Sequence, residues 1–397
     1  MNAKEKRMSK LVIAATLLGF ASSCGSPSSN PGTSDAPATT HDGPPGTLAL
    51  VSITAGDRYT CGRTAAGAYC WGIDEHGQLG DGTLTNRGVP APVSGGLVFT
   101  AVNAHGDHAC GHTTAGAAYC WGANASGQLG DGSTTDRSAP VAVAGGHQFT
   151  TVSTDGAHTC GLDGNGVAYC WGDNAAGQLG DGSTTNRSMP VQVTGGITFA
   201  ALTVGHDHTC GRDTAGVAYC WGSNASGQLG DGTTMNRSAP VAVGGGIALV
   251  AISAGGAHTC AHTAAGAAYC WGANDSGQLG DGTRTPSSTP VAVAGGIVFK
   301  GAGAGPHHSC GRTAAGALYC WGKNASGQLG DGTTMDRTMP VAVSGGLAFS
   351  GESEGTDHSC GRTTANVTYC WGSNAVGQLG TGTPASSNVP VKIVGQP

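Results

Sequence analysis

The stretch that decides the fold is Tyr119-Cys120-Trp121-Gly122-Ala123-Asn124-Ala125-Ser126-Gly127-Gln128-Leu129-Gly130. It returns every 50 residues. Cys-Trp stands at 70–71, 120–121, 170–171, 220–221, 270–271, 320–321 and 370–371, with no insertion between copies. All seven Trp residues sit at this position, and seven of the eight Tyr residues precede it by two. A period this strict predicts a repeat architecture whose units bury their apolar faces only against one another.

Each unit reads as four short strands. In 96–145, Leu97, Phe99 and Val102 mark a first strand, His108 to His112 a second, and Ala117 to Trp121 a third. A Gly-rich loop follows from Gly127 to Gly132, and a fourth strand starts at Pro140, where a strand start needs no ladder donor. Gly accounts for 72 of 397 residues, which fits many tight turns and disfavours long helices. Four strands per unit and seven units predict an all-β, seven-bladed β-propeller over 46–397, closed so that it leaves no long exposed edge.

The run W-G-x-N-x-x-G-Q-L-G resembles the RCC1 repeat, with Asp74 in place of Asn in the first copy. The resemblance covers 46–397 and implies an RCC1-like propeller. That family includes exchange factors for a small nuclear GTPase, plant photoreceptors and secreted inhibitors of β-lactamase.

The first residues read as an export signal. Lys4, Lys6, Arg7 and Lys10 precede an apolar run from Leu11 to Ala21, too short for a permanent membrane span. Ser22 and Ser23 then lead to Cys24, which resembles a bacterial lipoprotein signal: residues 1–23 would be removed and Cys24 lipidated. Gly25, not Asp, implies transfer to the outer membrane in that class. Residues 24–45, rich in Ser, Pro, Gly and Thr, read as a tether. Removing 1–23 takes four of 18 basic and one of 24 acidic residues, leaving a formal −9. Such a surface repels phosphate backbones, so nucleic acid is not expected as a partner.

Fifteen Cys resolve into Cys24 and seven pairs. These are Cys61 with Cys70, Cys110 with Cys120, Cys160 with Cys170, Cys210 with Cys220, Cys260 with Cys270, Cys310 with Cys320 and Cys360 with Cys370. A three-residue loop at 114–116, with Gly116 left-handed, sets Cys110 opposite Cys120 on a non-hydrogen-bonded pair, within disulfide range. Asn366 replaces that Gly in the last unit, and the first unit is one residue shorter. Seven intra-hairpin disulfides are therefore expected. Two Cys per hairpin fall short of a zinc site, and no metal or cofactor is expected.

Other recurring residues suggest scaffold roles. His108, His158, His208, His258, His308 and His358 stand two before a Cys, with Tyr59 in their place in the first unit; bonds to loop backbone are the expected role. Asp81, Asp131, Asp181, Asp231 and Asp331 precede Arg87, Arg137, Arg187, Arg237 and Arg337 by six, which suggests loop ion pairs.

Function is expected where repeats differ. The segment between first and second strands varies most: Arg58, Tyr59, His105, Asp107, Asp155, His206, Asp207, His307, Glu354 and Asp357 form the candidate binding face. A second variable set follows Trp-Gly: Ile73, Glu75, His76, Asp173, Asp275 and Lys323. No phosphate loop, zinc-protease helix or dinucleotide fingerprint is present, so no enzyme is expected. The expected function is that of a monomeric, lipid-anchored, exported scaffold binding a protein or glycan at the outer membrane or cell surface. Two alternatives follow from the resemblance. A secreted-enzyme inhibitor would bind through aromatic loop residues, of which Tyr59 is the only candidate. A nucleotide-exchange factor would need an inserted wedge that the repeats lack.

Overall fold

The computed structural model describes residues 47–396; Cys24, the signal and the tether lie outside them. Blade 1 consists of β1 (Ser52–Ala55), β2 (Tyr59–Arg63), β3 (Ala68–Gly72) and β4 (Arg87–Pro92). Blade 2 consists of β5 (Phe99–His105), β6 (His108–Thr113), β7 (Ala118–Gly122) and β8 (Arg137–Ala142). Five more blades repeat this pattern, so that seven four-stranded antiparallel sheets each follow chain order. No blade mixes strands from the two ends of the chain. The chain is thus an all-β, seven-bladed propeller.

The fourth strand departs from expectation. It begins at Arg137, not Pro140, and Pro140 lies inside it. The strand pairs on one side only, and its register shifts between Cys120 and Gly122. On an edge strand with a bulge, the missing N–H of Pro140 breaks no ladder.

The hairpin between second and third strands follows the sequence reading. Thr113 N–H bonds Ala117 O at 3.0 Å, and Gly116 takes φ 81°. Asn366, at φ 63°, is the one non-glycine residue with positive φ among those described. In blade 1, Thr64 bonds Gly67, which leaves a two-residue loop of Ala65 and Ala66.

All seven expected disulfides are formed. Cys61 bonds Cys70, Cys110 bonds Cys120, Cys160 bonds Cys170 and Cys210 bonds Cys220. Cys260 bonds Cys270, Cys310 bonds Cys320 and Cys360 bonds Cys370. The partners are directly opposed in register, with Cα atoms 4.0–4.1 Å apart.

The signature run is the joint between blades. Asn124 bridges its own loop: Oδ1 accepts Leu129 N–H at 3.0 Å, and Nδ2 donates to Thr135 O at 3.0 Å. The loop then presses on the next blade. Gln128 O accepts Trp171 Nε1–H at 2.9 Å and the Thr159 hydroxyl at 2.8 Å. Gly130 lies so close to the Trp171 indole that a Cβ there would stand 2.7 Å from Nε1. Each Trp is therefore buried by the preceding blade's loop.

The histidines complete this joint. His108 Nε2 lies 2.7 Å from Thr159 Oγ1 of the next blade. Since that hydroxyl donates to Gln128 O, it accepts from imidazole Nε2–H. The equivalent bonds run His158–Thr209, His208–Thr259, His258–Ser309, His308–Ser359 and His358–Thr60, at 2.7–2.9 Å. The partner is thus a neighbouring hydroxyl, not loop backbone as expected. Blade 1 breaks the pattern on both sides of one joint: Tyr59 replaces His, and Ala109 replaces the hydroxyl residue it would meet. Tyr59 instead donates its own hydroxyl to His108 O.

The last joint repeats the bonds seen between blades 2 and 3. Trp71 Nε1 and Thr60 Oγ1 donate to Gln378 O at 3.0 and 2.8 Å. Leu48 and Leu50 pack with Trp71, Leu379 and Ile393, and Leu48 N–H bonds Gly395 O. The ring is closed by face-to-face packing of blades 7 and 1.

Candidate functional site

The loops between first and second strands meet at one end of the ring. Their tips touch in sequence: a Cβ on Gly106 would strike Gly156 O, one on Gly156 would strike His206 O, and one on Gly255 would strike Gly305 O. Blade 7 meets blade 1 there through Thr356 Oγ1, which donates to Asp57 Oδ1 at 2.7 Å. The loops after Trp-Gly lie on the same mouth. Ile73 N–H bonds Arg58 O, Arg58 lies 3.8 Å from Glu75, and Lys323 lies 3.0 Å from Asp357. The two variable sets read from the sequence thus meet at one mouth, except that Ile73 is buried in the core. His76 extends the mouth across a joint, with Nδ1 2.9 Å from Asp136.

Arg58, Asp107, His206, Asp207, His307 and Asp357 are exposed or half-buried at this mouth. His105 lies lower, on the wall of the axial channel. Three residues of the candidate face do not belong on it. Tyr59 is wholly buried (0% exposed), because it occupies the position of the structural histidines. Asp155 (3%) and Glu354 (6%) end first strands and are enclosed by the neighbouring blade. Asp57 was absent from the sequence-derived set, yet it raises the pKa of both Asp107 and Asp155 and favours the charged forms of His105, His206 and His307. The shorter first hairpin shifts blade 1 by one residue, so Asp57 aligns with the tip residues His206 and Thr356. Counting inward from Cys61 rather than by fifties finds it.

The mouth is acidic and electrostatically tense. Burial, then Asp57, pushes the Asp155 carboxyl up to about 7. Burial, then Asp57, also raises Asp107. His206 rises to about 9, chiefly through its 3.0 Å bond to Asp207, whose own pKa is lowered by that bond. Burial lowers His105 to about 4.

The expected loop ion pairs are present at 2.7–2.8 Å for all five Asp–Arg pairs. Burial works against the Asp131 carboxylate, but bonds from Ser133 and Arg137 outweigh it and lower its pKa. In blade 5, Arg284 instead reaches Asp275 O and, at 3.5 Å, Asp336 of blade 6. These groups are committed to structure. No cluster of three or more His, Cys, Asp or Glu side chains suited to a metal occurs among the described residues.

The fold and its signature match known proteins. Human WBSCR16 superposes with a TM-score of 0.75 at 20% identity, over 85% of this chain and 94% of that one. Yeast RCC1 (Prp20), solved bound to Kap60, gives 0.73 at 20% identity, over 86% and 85%. Prp20p from Saccharomyces cerevisiae, described with its binding to Gsp1p and histones, gives 0.72 at 21%, over 87% and 90%. At such identities these likenesses establish the fold alone. Comparison with curated protein sequences gives no match. The regulator of chromosome condensation (RCC1) repeat matches residues 67–111 and 115–162, and the RCC1-like domain matches 140–396. Spanning well over half of the sequence, that match shows that the chain belongs to the RCC1-like domain family.

Proposed function

We propose that the chain is an exported, lipid-anchored, non-catalytic scaffold that binds a partner protein with a cationic surface at its acidic mouth. One observation carries this reading. The repeated residues are consumed by the seven joints, while the loops between first and second strands and those after Trp-Gly, both variable between blades, converge on one mouth. Among RCC1-like neighbours, yeast RCC1 is bound to Kap60, and Prp20p is described with binding to Gsp1p and histones. Seven disulfides suit an oxidising compartment. The enzyme-inhibitor reading loses its one aromatic contact, since Tyr59 is buried.

Two measurements test the proposal. Radiolabelled palmitate is expected on the full chain and not on Cys24→Ser; label on neither would remove the anchor. For binding, the chain from residue 25 onward, which contains the whole closed ring, is compared with a variant carrying Ala at Arg58, Asp107, His206, Asp207, His307 and Asp357. Envelope extract applied at low salt is expected to yield a basic protein retained by the parent only. Equal retention by both, with unchanged circular dichroism, would remove the mouth as the binding surface.

A further inference from the structure

The opposite end of the axial channel carries the reverse charge. One residue before each second-to-third-strand hairpin stands Arg63, His112, Leu162, Arg212, His262, Arg312 or Arg362. Six consecutive blades around the closed ring thus place a basic residue at this rim, with blade 3 as the exception. Their partners on the innermost strands are small: Ser52, Ala101, Ala201, Ala251, Gly301 and Gly351. Lys300 joins them, since with His262 it lines the channel cavity of about 510 Å³. The groups sense one another: Arg63 lowers the His112 pKa, and Lys300 lowers that of His262, in both cases after burial.

The arginines and Lys300 carry the charge of this rim, since burial lowers the pKa of both imidazoles, and most of these cations lack anions. Of this set only Arg312 has a carboxylate, Glu352 at 2.8 Å. Among the described residues, Arg63, Arg212, Arg362 and Lys300 have none within ion-pair distance. Elsewhere in the ring, arginines are matched: five in the loop pairs, Arg58 with Glu75, Arg284 with Asp336. The unmatched guanidiniums also hold orphaned donors. Arg63, Arg212 and Arg362 each bury Nε with no acceptor. Their terminal nitrogens are held in place by Thr64 O, Asp213 O and Asn366 Oδ1 respectively. His112 (5% exposed) and His262 (7%) each bury an Nδ1 with no partner. Nearby carboxylates are engaged: Asp163 and Asp213 accept backbone N–H groups of their hairpins. Buried donors without acceptors cost free energy, and anionic oxygens are the acceptors that guanidinium groups bind most strongly.

We propose that this rim is an anion-binding site for a small multivalent carboxylate or phosphate compound. Arg362 and Arg63, on adjacent blades 7 and 1, supply its principal contacts, and His112 stands beside them on blade 2. The site lies at the opposite end of the channel from the acidic mouth and is independent of it.

Titration calorimetry of the chain from residue 25 onward, at pH 7 and low ionic strength, tests this with citrate and pyrophosphate as probes. The preferred probe separates carboxylate from phosphate recognition. Saturable binding that weakens with salt is expected, and it should weaken at least about tenfold in Arg63→Gln/Arg362→Gln. Arg63→Lys/Arg362→Lys keeps the charge and is expected to lose less. Asp207→Asn at the mouth should change nothing. Absence of heat with both probes at about 10 mM, or equal affinity in the Gln pair and the parent, overturns the proposal.

Discussion

At residue scale, the informative positions are those where one copy departs from the other six. Asp74 replaces the loop-bridging Asn. Its Oδ1 still accepts Leu79 N–H at 3.0 Å, but Oδ2 is buried without a partner. Burial raises its pKa to about 6; the Leu79 bond opposes this and Asp81 adds to it. A folded pKa above the unfolded value of 3.8 means that the native state holds the proton more tightly. Stability is therefore full below pH 3.8 and falls as pH rises through 6. Asp74→Asn, which restores the amide donor, should add roughly 1–3 kcal/mol at pH 7 and nothing near pH 3.5, as read by urea unfolding at both values. The departure itself was legible in the sequence; its cost was not, because the chain does not reveal that the second oxygen is enclosed. Tyr59 teaches the converse. It was recognisable as the stand-in for a buried histidine, and that alignment, not its variability, decides where it lies.

At element scale, the innermost strands carry a second ring of bonds. Ser153 Oγ accepts Val204 N–H at 3.1 Å, Thr203 accepts Ala254, Ser253 accepts Ala304, Ser353 accepts Ala55 and Thr54 accepts Ala104. At the joint of blades 6 and 7 this hydroxyl is missing, because the position is Gly303. The Glu354 carboxyl fills the space, 2.5 Å from where a Gly303 Cβ would be, and takes up its own backbone N–H. Burial, then Glu352, raises it to about 8. Gly303→Ser alone should destabilise by about 1–3 kcal/mol through that collision. Gly303→Ser/Glu354→Val reproduces the arrangement at Ser253 and Ala304 in near-equivalent form. A double-mutant cycle in denaturant is expected to give a favourable coupling of about 1–3 kcal/mol; additive effects would refute the exchange. Strand order, hairpin geometry and disulfides were readable from period and turn chemistry, which are local: Cys110 and Cys120 are set opposite by a turn whose Gly116 the sequence displays. The inter-blade bonds were not, since they join residues about 50 apart whose facing depends on the closed ring. The pairing of Tyr59 with Ala109 was the one trace of them in the sequence.

At the scale of the whole molecule, six joints each enclose a neutral imidazole. Burial lowers His108, His158, His258 and His308 to about 3, and His208 and His358 to about 4. A depressed folded pKa means that the unfolded chain binds the proton more tightly. Stability is then present above pH 6.5 and lost as pH falls toward 3. Asp74, Asp155 and Glu354, with raised values, act in the opposite direction over part of that window. With His105, His112, His262 and His307 also lowered and Asp107 also raised, the lowered imidazoles outnumber the raised carboxyls, so unfolding takes up protons between about pH 6 and 4 and the ring should weaken steadily on acidification. His208→Gln keeps an N–H for Thr259 but removes one titrating group. The dependence of unfolding free energy on pH should flatten in that variant by up to about 1.4 kcal/mol per pH unit between pH 4 and 6. An unchanged slope would mean that these imidazoles do not titrate with unfolding. Since the six share one geometry, equal flattening on replacing His158 or His308 would further show that the joints, spread around the whole circle, respond to acid as one set.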